Sequence, residues 1–369
     1  MADDRGSIGA VDAHAAGTPH TGGLLAFVTI VLTLLSWASV PLFLRSFRGD
    51  IDPFTANGWR YALSALIWLP VIVVAWRKGT LGRAIWKDAL IATAFNVVAQ
   101  VFFGIAPYLI DPGLMTFGLR LQIVFAVAGA AVLIPAEREL LRTPKMIAAI
   151  ACVFLGTMGT ILLGEKSLDV SSGRHVAGVV MSIAAGGLYA AYSLGVRRRL
   201  SHYHSLLAFS VVSQYTAVAM IATLLVAMGV GAAGVIPPGA AAGLLPRDPI
   251  GSVLAMPTRE FILLIISAVV GIGVGHSLYY YSIKRIGVAV SAGVIQLQPI
   301  LVSIASMRLF GESFTLLQWI FGGFAVVSAI VMLVIQSRFS KRRHVVVPVS
   351  PGALAPVVPE VEDEEPVSR

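Results

Sequence analysis

Ten apolar runs of about 20 residues each recur along almost the whole chain. A helix rises 1.5 Å per residue, so a run of about 20 apolar residues crosses a hydrocarbon core of roughly 30 Å. Only 12% of the residues are charged, whereas a soluble domain carries roughly 25%. The sequence therefore predicts an all-α integral membrane protein with about ten transmembrane helices. The predicted spans are Leu24–Phe43, Phe54–Trp76, Ala89–Ile110, Gly113–Ile134, Met146–Leu163, Val176–Val196, Ser205–Val230, Phe261–Ile283, Val288–Phe310 and Phe314–Ile335.

The two ends of the chain differ from these runs in composition. Near the N-terminus three aspartates accompany a single Arg5, which is the wrong charge for a cleaved signal peptide, so the first span is expected to be an uncleaved anchor. The C-terminal segment is rich in proline and acidic residues and cannot bury a core. We expect residues 1–22 to be a disordered cytoplasmic N-terminus and residues 345–369 a disordered cytoplasmic tail.

The basic residues are distributed unevenly between the two sides of the predicted bundle. The net charge is +8, and the connections on one side carry 17 Lys and Arg residues against 7 on the other. By the positive-inside rule the richer side is cytoplasmic, which places both termini inside and predicts a multi-pass protein of the plasma (inner) membrane. A nucleic-acid partner is disfavoured, because the charge is spread over connections and is not concentrated on one folded face.

The chain also repeats itself internally. At an offset of 175 residues the ninth span aligns with the fourth, so that Glu137 falls on Glu312, and the first two spans of each half align at an offset of 155. Five spans per half is an odd number, so the second copy would enter the membrane in the opposite orientation. We therefore predict two inverted five-helix repeats around a central cavity, residues 23–165 and 175–336. Inverted repeats are typical of secondary transporters that alternate access to a site between the halves.

The difference between the two offsets is absorbed by one long connection. Residues 231–258, between the seventh and eighth spans, are rich in glycine and proline, and we expect them to form a flexible external loop.

Several motifs resemble a known family. The segments "PAERE" and "FGES" follow the fourth and ninth spans, an arginine lies early in the second span ("GWRYALSAL"), and "SLYYYSIKRIGVAVSAG" precedes "QLQPILVSI". Together they resemble the ten-helix EamA-type transporters of the drug/metabolite transporter superfamily, over roughly Leu24 to Ile335. The resemblance implies an exporter or exchanger of amino acids, other metabolites, sugar phosphates or nucleotide sugars. One departure is that Val124 aligns with Pro299, so we expect helix bending at that site to be asymmetric.

Two arginines lie inside predicted spans. Arg60 is about one and a half turns inside the second span, and Arg120 about two turns inside the fourth. An ionisable residue within the membrane is costly and is a functional candidate by default, although a flexible arginine can also snorkel to the interface. If both side chains face the cavity, their guanidinium groups favour a carboxylate or a phosphate on the cargo.

No acidic residue lies deep in any predicted span. Exporters of lipophilic cations need a buried carboxylate that a proton or the cation can occupy, so a cationic cargo is disfavoured. Hydroxyl and aromatic side chains would still suit neutral drugs.

The remaining cavity candidates are polar or aromatic residues within spans. Of the two glutamines in "QLQP", which lie about 200° apart around a helix, we favour Gln298, because it precedes Pro299 and can satisfy backbone groups that the bend frees. His276 is a candidate proton relay, although a hydrogen-bonded packing role is the commoner alternative. The other candidates are Gln100, which aligns beside His276, Tyr279, Tyr280, Trp37, Gln122, Gln214 and Tyr215, the repeat mate of Arg60.

Metal and thiol chemistry find little support in the sequence. Cys152 is the only cysteine, so no intrachain disulfide is expected, and His202 with His204 has no carboxylate or thiolate nearby. The glycines of "GIGVG" lie inside a span and are expected to allow close helix approach, with Gly271 and Gly275 four residues apart. We predict no cofactor, no metal and no enzymatic activity.

The leading interpretation is a secondary transporter that exports or exchanges a small polar metabolite, such as an amino acid or another anionic or zwitterionic compound. Its expected partners are this cargo, the lipid bilayer, and a proton or a counter-substrate. The alternatives are an integral-membrane enzyme acting on a lipid, an exporter of neutral drugs, and a non-transporting receptor or scaffold. The sequence leaves the cargo, the transport direction, the energy coupling and the oligomeric state open.

Overall fold

The structure is a computed structural model, and it describes residues 19–133, 135–163, 173–235, 243–286 and 288–342. The regular structure of these residues is entirely helical. In chain order the helices are α1 Pro19–Ser46, α2 Pro53–Arg77, α3 Arg83–Leu109, α4 Pro112–Arg120, α5 Gln122–Leu133, α6 Pro135–Leu141, α7 Pro144–Leu162, α8 Gly173–Arg199, α9 Ser205–Ala232, α10 Gly251–Leu254, α11 Thr258–Ala268, α12 Gly275–Ile286, α13 Val288–Ile295, α14 Gln298–Phe310 and α15 Leu316–Arg342.

A π-helical turn, Val269–Val274, joins α11 to α12 without a break. Nine helical stretches within the described ranges are long and apolar enough to cross a membrane, and the turn explains why the predicted eighth span is missing from that count. It divides this span into two shorter helices that still follow one another from Thr258 to Ile286. The predicted all-α, multi-pass membrane fold is confirmed.

The ends of the chain were predicted to be disordered. Residues 1–18 and 345–369 lie outside the described ranges, whereas α1 already begins at Pro19 and α15 continues to Arg342.

Two membrane-crossing stretches are broken in their middle. The fourth is divided at Leu121, between α4 and α5, and the ninth at Gln296 and Leu297, between α13 and α14. The prediction of an asymmetric bend, based on Pro299 and Val124, is therefore wrong, because the fourth stretch breaks without a proline. Leu121 donates its backbone N–H to the Gly118 carbonyl at 3.2 Å, which tightens the last turn of α4.

Small residues bring the helices of the bundle close together. The closest neighbours are α3 with α8, α7 with α15, α2 with α9 and α1 with α12. At Gly271 and Gly275 there is no room for a Cβ atom, which would lie 2.6 Å from the side chain of Val40 and 2.7 Å from that of Ser36. The prediction that these glycines allow close helix approach is confirmed, and α1 is the helix that they admit.

The predicted loop 231–258 is partly ordered against the bundle. Its residues 236–242 lie outside the described ranges. The later part contains α10, the side chain of Val253 is buried, and the indole N–H of Trp59 donates to the Pro249 carbonyl at 3.1 Å. These contacts attach the connection to the N-terminal part of α2.

Substitution of Gly156 by alanine should destabilise the interface of α7 with α15. The new Cβ would lie 2.8 Å from the backbone nitrogen of Ala325, and a backbone atom cannot move aside as a side chain can. Overpacking of this kind costs about 1–3 kcal/mol, so the midpoint of thermal unfolding in detergent should fall by several degrees.

Gly323→Ala is the matched control on the facing helix, because its Cβ would meet nothing within 4 Å. Equal unfolding midpoints for the two variants would contradict the packing of these helices.

Candidate functional site

A cavity lies in the middle of the bundle. Its volume is about 110 Å³, and side chains from α1 to α5, α8, α9, α12, α14 and the π-helical turn line it. A single water needs only about 10–15 Å³ of such volume, so the space can hold a small solute. The lining comes from both halves of the chain, so the cavity exists only when the two halves pack together.

Arg60 is buried at one side of this cavity. The whole residue is 2% exposed, so its guanidinium group does not reach the membrane interface. Its Nε donates to Ser267 Oγ and its Nη1 to Asn57 Oδ1, both at 3.1 Å. Asn57 in turn donates from Nδ2 to the Gln100 carbonyl at 2.9 Å, which fixes the amide orientation. A Cβ on Gly104 would lie 2.1 Å from that Nδ2 atom, so only glycine leaves room for this arrangement.

Arg120 lies in the cavity wall at the break of the fourth stretch. Its Nη2 donates to Gln298 Oε1, and Gln298 Nε2 donates to the backbone carbonyl of Trp37 at 2.9 Å. That carbonyl needs a partner from outside its helix, because Pro41, four residues later, has no backbone N–H. Gln298 therefore satisfies a freed carbonyl, as expected for a residue beside a bend, but the proline that frees it is on α1.

The cavity wall presents hydrogen-bond donors without negative charge. No acidic side chain lines it, and in the described ranges neither Arg60 nor Arg120 has a carboxylate within ion-pair distance. Three buried N–H groups of lining residues have no partner in the same ranges: Trp37 Nε1, Arg120 Nε and Gln122 Nε2. Because buried donors are costly unless they are paired, this wall is complementary to a group that supplies acceptors and negative charge.

His276 occupies an aromatic part of the wall. Its ring stacks on Phe209 at 4.7 Å between centroids and meets Trp37 edge-on at 5.3 Å. Its Nδ1 lies 3.1 Å from the Ile272 carbonyl, so Nδ1 carries the donated proton and Nε2 is the atom available to a cargo or a proton.

The structure brings most of the candidates from the sequence together and places three elsewhere. The candidates that line the cavity are Arg60, Arg120, Gln298, Gln100, Gln122, His276 and Trp37. Gln214 instead donates to the Ala65 carbonyl at 2.9 Å, and Tyr215 packs edge-on against Trp86 at 5.2 Å. Tyr279 is buried against Trp37 with centroids 5.0 Å apart, and the side chain of Tyr280 lies outside the described part of the structure.

Sequence reasoning missed three tyrosines of the lining. Tyr61, Tyr189 and Tyr192 all face the cavity. Tyr192 aligns with Trp37 in the internal repeat, and Tyr189 lies one turn before it on α8, which is the signal that would have identified this pair. For Tyr61 the only sequence signal is its position next to Arg60.

Comparison with known proteins identifies the type of domain. Residues 176–334, less than half of the chain, match the model of the EamA-like transporter family. The second half of the chain is similar to an EamA-like transporter domain. The match confirms the resemblance predicted from the motifs, and the EamA family implies a membrane transporter of the drug/metabolite transporter superfamily. EamA family members are transporters rather than enzymes.

A solved crystal structure is similar to the fold as a whole. It covers 86% of this chain and 98% of its own, with a TM-score of 0.53 and 16% sequence identity, so it shows the fold alone. No curated protein sequence gives a significant match. The fold similarity extends well beyond the EamA-like domain, into the half of the chain that the family model does not match.

Replacing Gln298 by leucine should destabilise the protein. The change leaves the Trp37 carbonyl and an Arg120 N–H unpaired in a buried site. Each unpaired group lowers the free energy of unfolding by about 1–3 kcal/mol. Thermal unfolding in detergent should show a midpoint several degrees lower, whereas Leu297→Ala, a change at the exposed neighbouring side chain, should have a much smaller effect. An unchanged midpoint for Gln298→Leu would contradict the role of this side chain.

Proposed function

We propose that this protein is an alternating-access secondary transporter that exports or exchanges a small anionic or zwitterionic metabolite, such as an amino acid. The observation that carries the proposal is the charge of the cavity. Arg60 and Arg120 lie in its wall, and none of the described side chains that line it is acidic. A carboxylate or phosphate on the cargo would complete both the charge and the hydrogen bonds of these groups.

The donor geometry supports an anionic group near Arg120. Its Nη2 is occupied by Gln298, while its Nε and Gln122 Nε2 are buried and unpaired in the described structure. Both groups belong to residues that line the cavity, on either side of the helix break at Leu121. Unpaired donors in a cavity wall suit the oxygens of a carboxylate.

Matching features in the two halves support the inverted repeat on which alternating access depends. The helix breaks at Leu121 and Gln296 are 175 residues apart, the offset at which the sequence repeats. Trp37 and Tyr192, which align at the offset of 155, both line the cavity. The pairing of α1 with α12 also corresponds to the pairing of α8 with α3 when the halves are exchanged.

The orientation of the bundle completes the proposal. The excess of Lys and Arg on one side supports cytoplasmic termini and a location in the plasma (inner) membrane. With this orientation Arg60 and Arg120 lie in the outer half of the membrane, and the connections at residues 47–52 and 311–315 are external.

Transport by purified protein in liposomes tests the proposal. Flux is measured for a panel of labelled amino acids, dicarboxylates and phosphate esters, and Arg120→Ala should reduce the flux of the transported anion by about tenfold or more. The reason is that a charge-assisted hydrogen bond contributes about 1.5–3 kcal/mol. Arg120→Lys keeps the charge but loses the planar fork, so its flux should be intermediate.

Arg308→Ala is the control, because it removes an exposed arginine from the outer part of α14. Its flux should equal that of the unchanged protein. Full flux of every anionic and zwitterionic cargo in a well-inserted Arg120→Ala variant would contradict the assigned role of the cavity.

A further inference from the structure

A cluster of charged side chains joins three helix ends on the outer side of the bundle. Arg45, in the last turn of α1, places its Nε 3.2 Å from Glu312 Oε1, in the connection of α14 with α15. Its Nη2 lies 3.9 Å from Asp111 Oδ1, in the connection of α3 with α4. The same side chain donates from Nη1 to the Pro107 carbonyl at 3.5 Å. One guanidinium group therefore contacts both halves of the chain.

Glu312 is held in an unusual environment for an acid. Its side chain is only 4% exposed, and its Oε2 accepts a hydrogen bond from Ser306 Oγ. Its Oε1 accepts no hydrogen bond in the described ranges, although Arg45 is near. The carboxyl group of Asp111 lies against the same guanidinium group of Arg45. Two carboxyl groups that share one guanidinium group repel each other when both are ionised, so the arrangement favours one shared proton.

The surroundings of Glu312 favour the protonated form of its carboxyl group. Burial, together with the Asp111 carboxylate, raises the pKa of Glu312 to about 8, even though Arg45 opposes the shift. Arg48 and Arg174 are the other cations near the cluster, and burial and its neighbouring arginines lower the pKa of Arg48. Asp50 is exposed. The charged residues of the segment 164–172 lie outside the described part of the structure.

The cluster lies on the outer side of the helices that form the cavity wall. Leu44, Leu114 and Met115, which lie beside the cluster on α1 and α4, are buried. The helices joined by Arg45 also carry the cavity residues Trp37, on α1, and Arg120, on α4. A movement that separates these helix ends would therefore move the cavity wall and break the contacts of Arg45 with the two acids.

Resting on the proposed transport function, we propose that Asp111 and Glu312 form a shared proton-binding site that, with Arg45, acts as the outer gate of the transporter. With the proton bound, one negative charge is balanced by Arg45 and the gate is closed. Without the proton, the two carboxylates at one guanidinium group repel each other, and hydration of the acids in an open gate is favoured. Closing the gate therefore takes up one proton from the outer side, and opening it returns one.

The sign of the pH effect follows from linkage. In the closed state the pKa of Glu312 is raised, whereas in an open, hydrated gate it should return to about 4.3. Low pH therefore stabilises the closed gate. Between the two pKa values the ratio of closed to open molecules should fall by up to about tenfold per pH unit, and above about pH 8 it should change no further.

Labelling of a cysteine in the cavity tests the gate. Val40→Cys is introduced into a Cys152→Ser background, in the full chain in sealed membrane vesicles, and a membrane-impermeant maleimide is added from the outer side. Because maleimide reacts with the thiolate, each rate is divided by the rate of the same cysteine in denatured protein at the same pH. This relative labelling rate should be low at pH 6, rise as the pH approaches 8, and level off above it. Glu312→Gln keeps a hydrogen-bonding amide that cannot ionise, so its relative rate should remain at the low-pH value from pH 6 to 9.

Two further variants make the test decisive. Asp111→Asn removes the second carboxylate and should move the rise in labelling to lower pH. This variant tests the shared proton site if Glu312→Gln fails to fold. Asp50→Asn removes an exposed external acid and should keep the pH dependence of the parent.

A parent protein whose relative labelling rate does not change between pH 6 and 9 would overturn the gate. So would an unchanged rise in labelling in both Glu312→Gln and Asp111→Asn. Labelling requires no cargo, so the absence of the expected pH dependence contradicts the gate alone. Absent flux in liposomes contradicts the transport function alone.

Discussion

Two buried guanidinium groups without a carboxylate partner in the described structure are the constraint on which the cavity depends. A positive charge in the membrane interior is costly, and Arg60 and Arg120 are held there by neutral acceptors only. The amides of Asn57 and Gln298 supply these acceptors, and each of them is fixed in turn by a backbone carbonyl. As a result, the side chains of the wall are held in place, and the described structure does not neutralise the positive charge that faces the cavity.

Irregular helices make this wall possible. In a bilayer, backbone groups can leave the regular helical pattern only where protein or an internal cavity accepts them. The breaks at Leu121 and Gln296, the freed carbonyl of Trp37 and the π-helical turn at Val269–Val274 all lie next to the cavity or in its wall. The acidic side chains of Asp111 and Glu312 lie in the connections between helices, where they contact Arg45 and do not line the cavity.

The sequence was sufficient for the class of fold and for part of the site. The depth of Arg60 and Arg120 in apolar runs, and the lack of deep acids, follow from residue order alone, because membrane thickness fixes depth. The partnership of Gln298 with α1 does not follow, since it depends on a proline 257 residues earlier in the chain. The symmetric break at Leu121 was missed because no proline marks it, and the contacts of Glu312 require the packing of distant helix ends.

Comparison of one carboxylate compound with its neutral amide and its cationic amine analogue tests the charge of the cavity most directly. A ligand that binds the folded protein at 100 times its Kd adds about 2.7 kcal/mol of stability and raises the unfolding temperature. The purified protein should be stabilised by the carboxylate member of a matching series and hardly at all by its amide or amine. Equal or greater stabilisation by the cationic analogue would contradict the account.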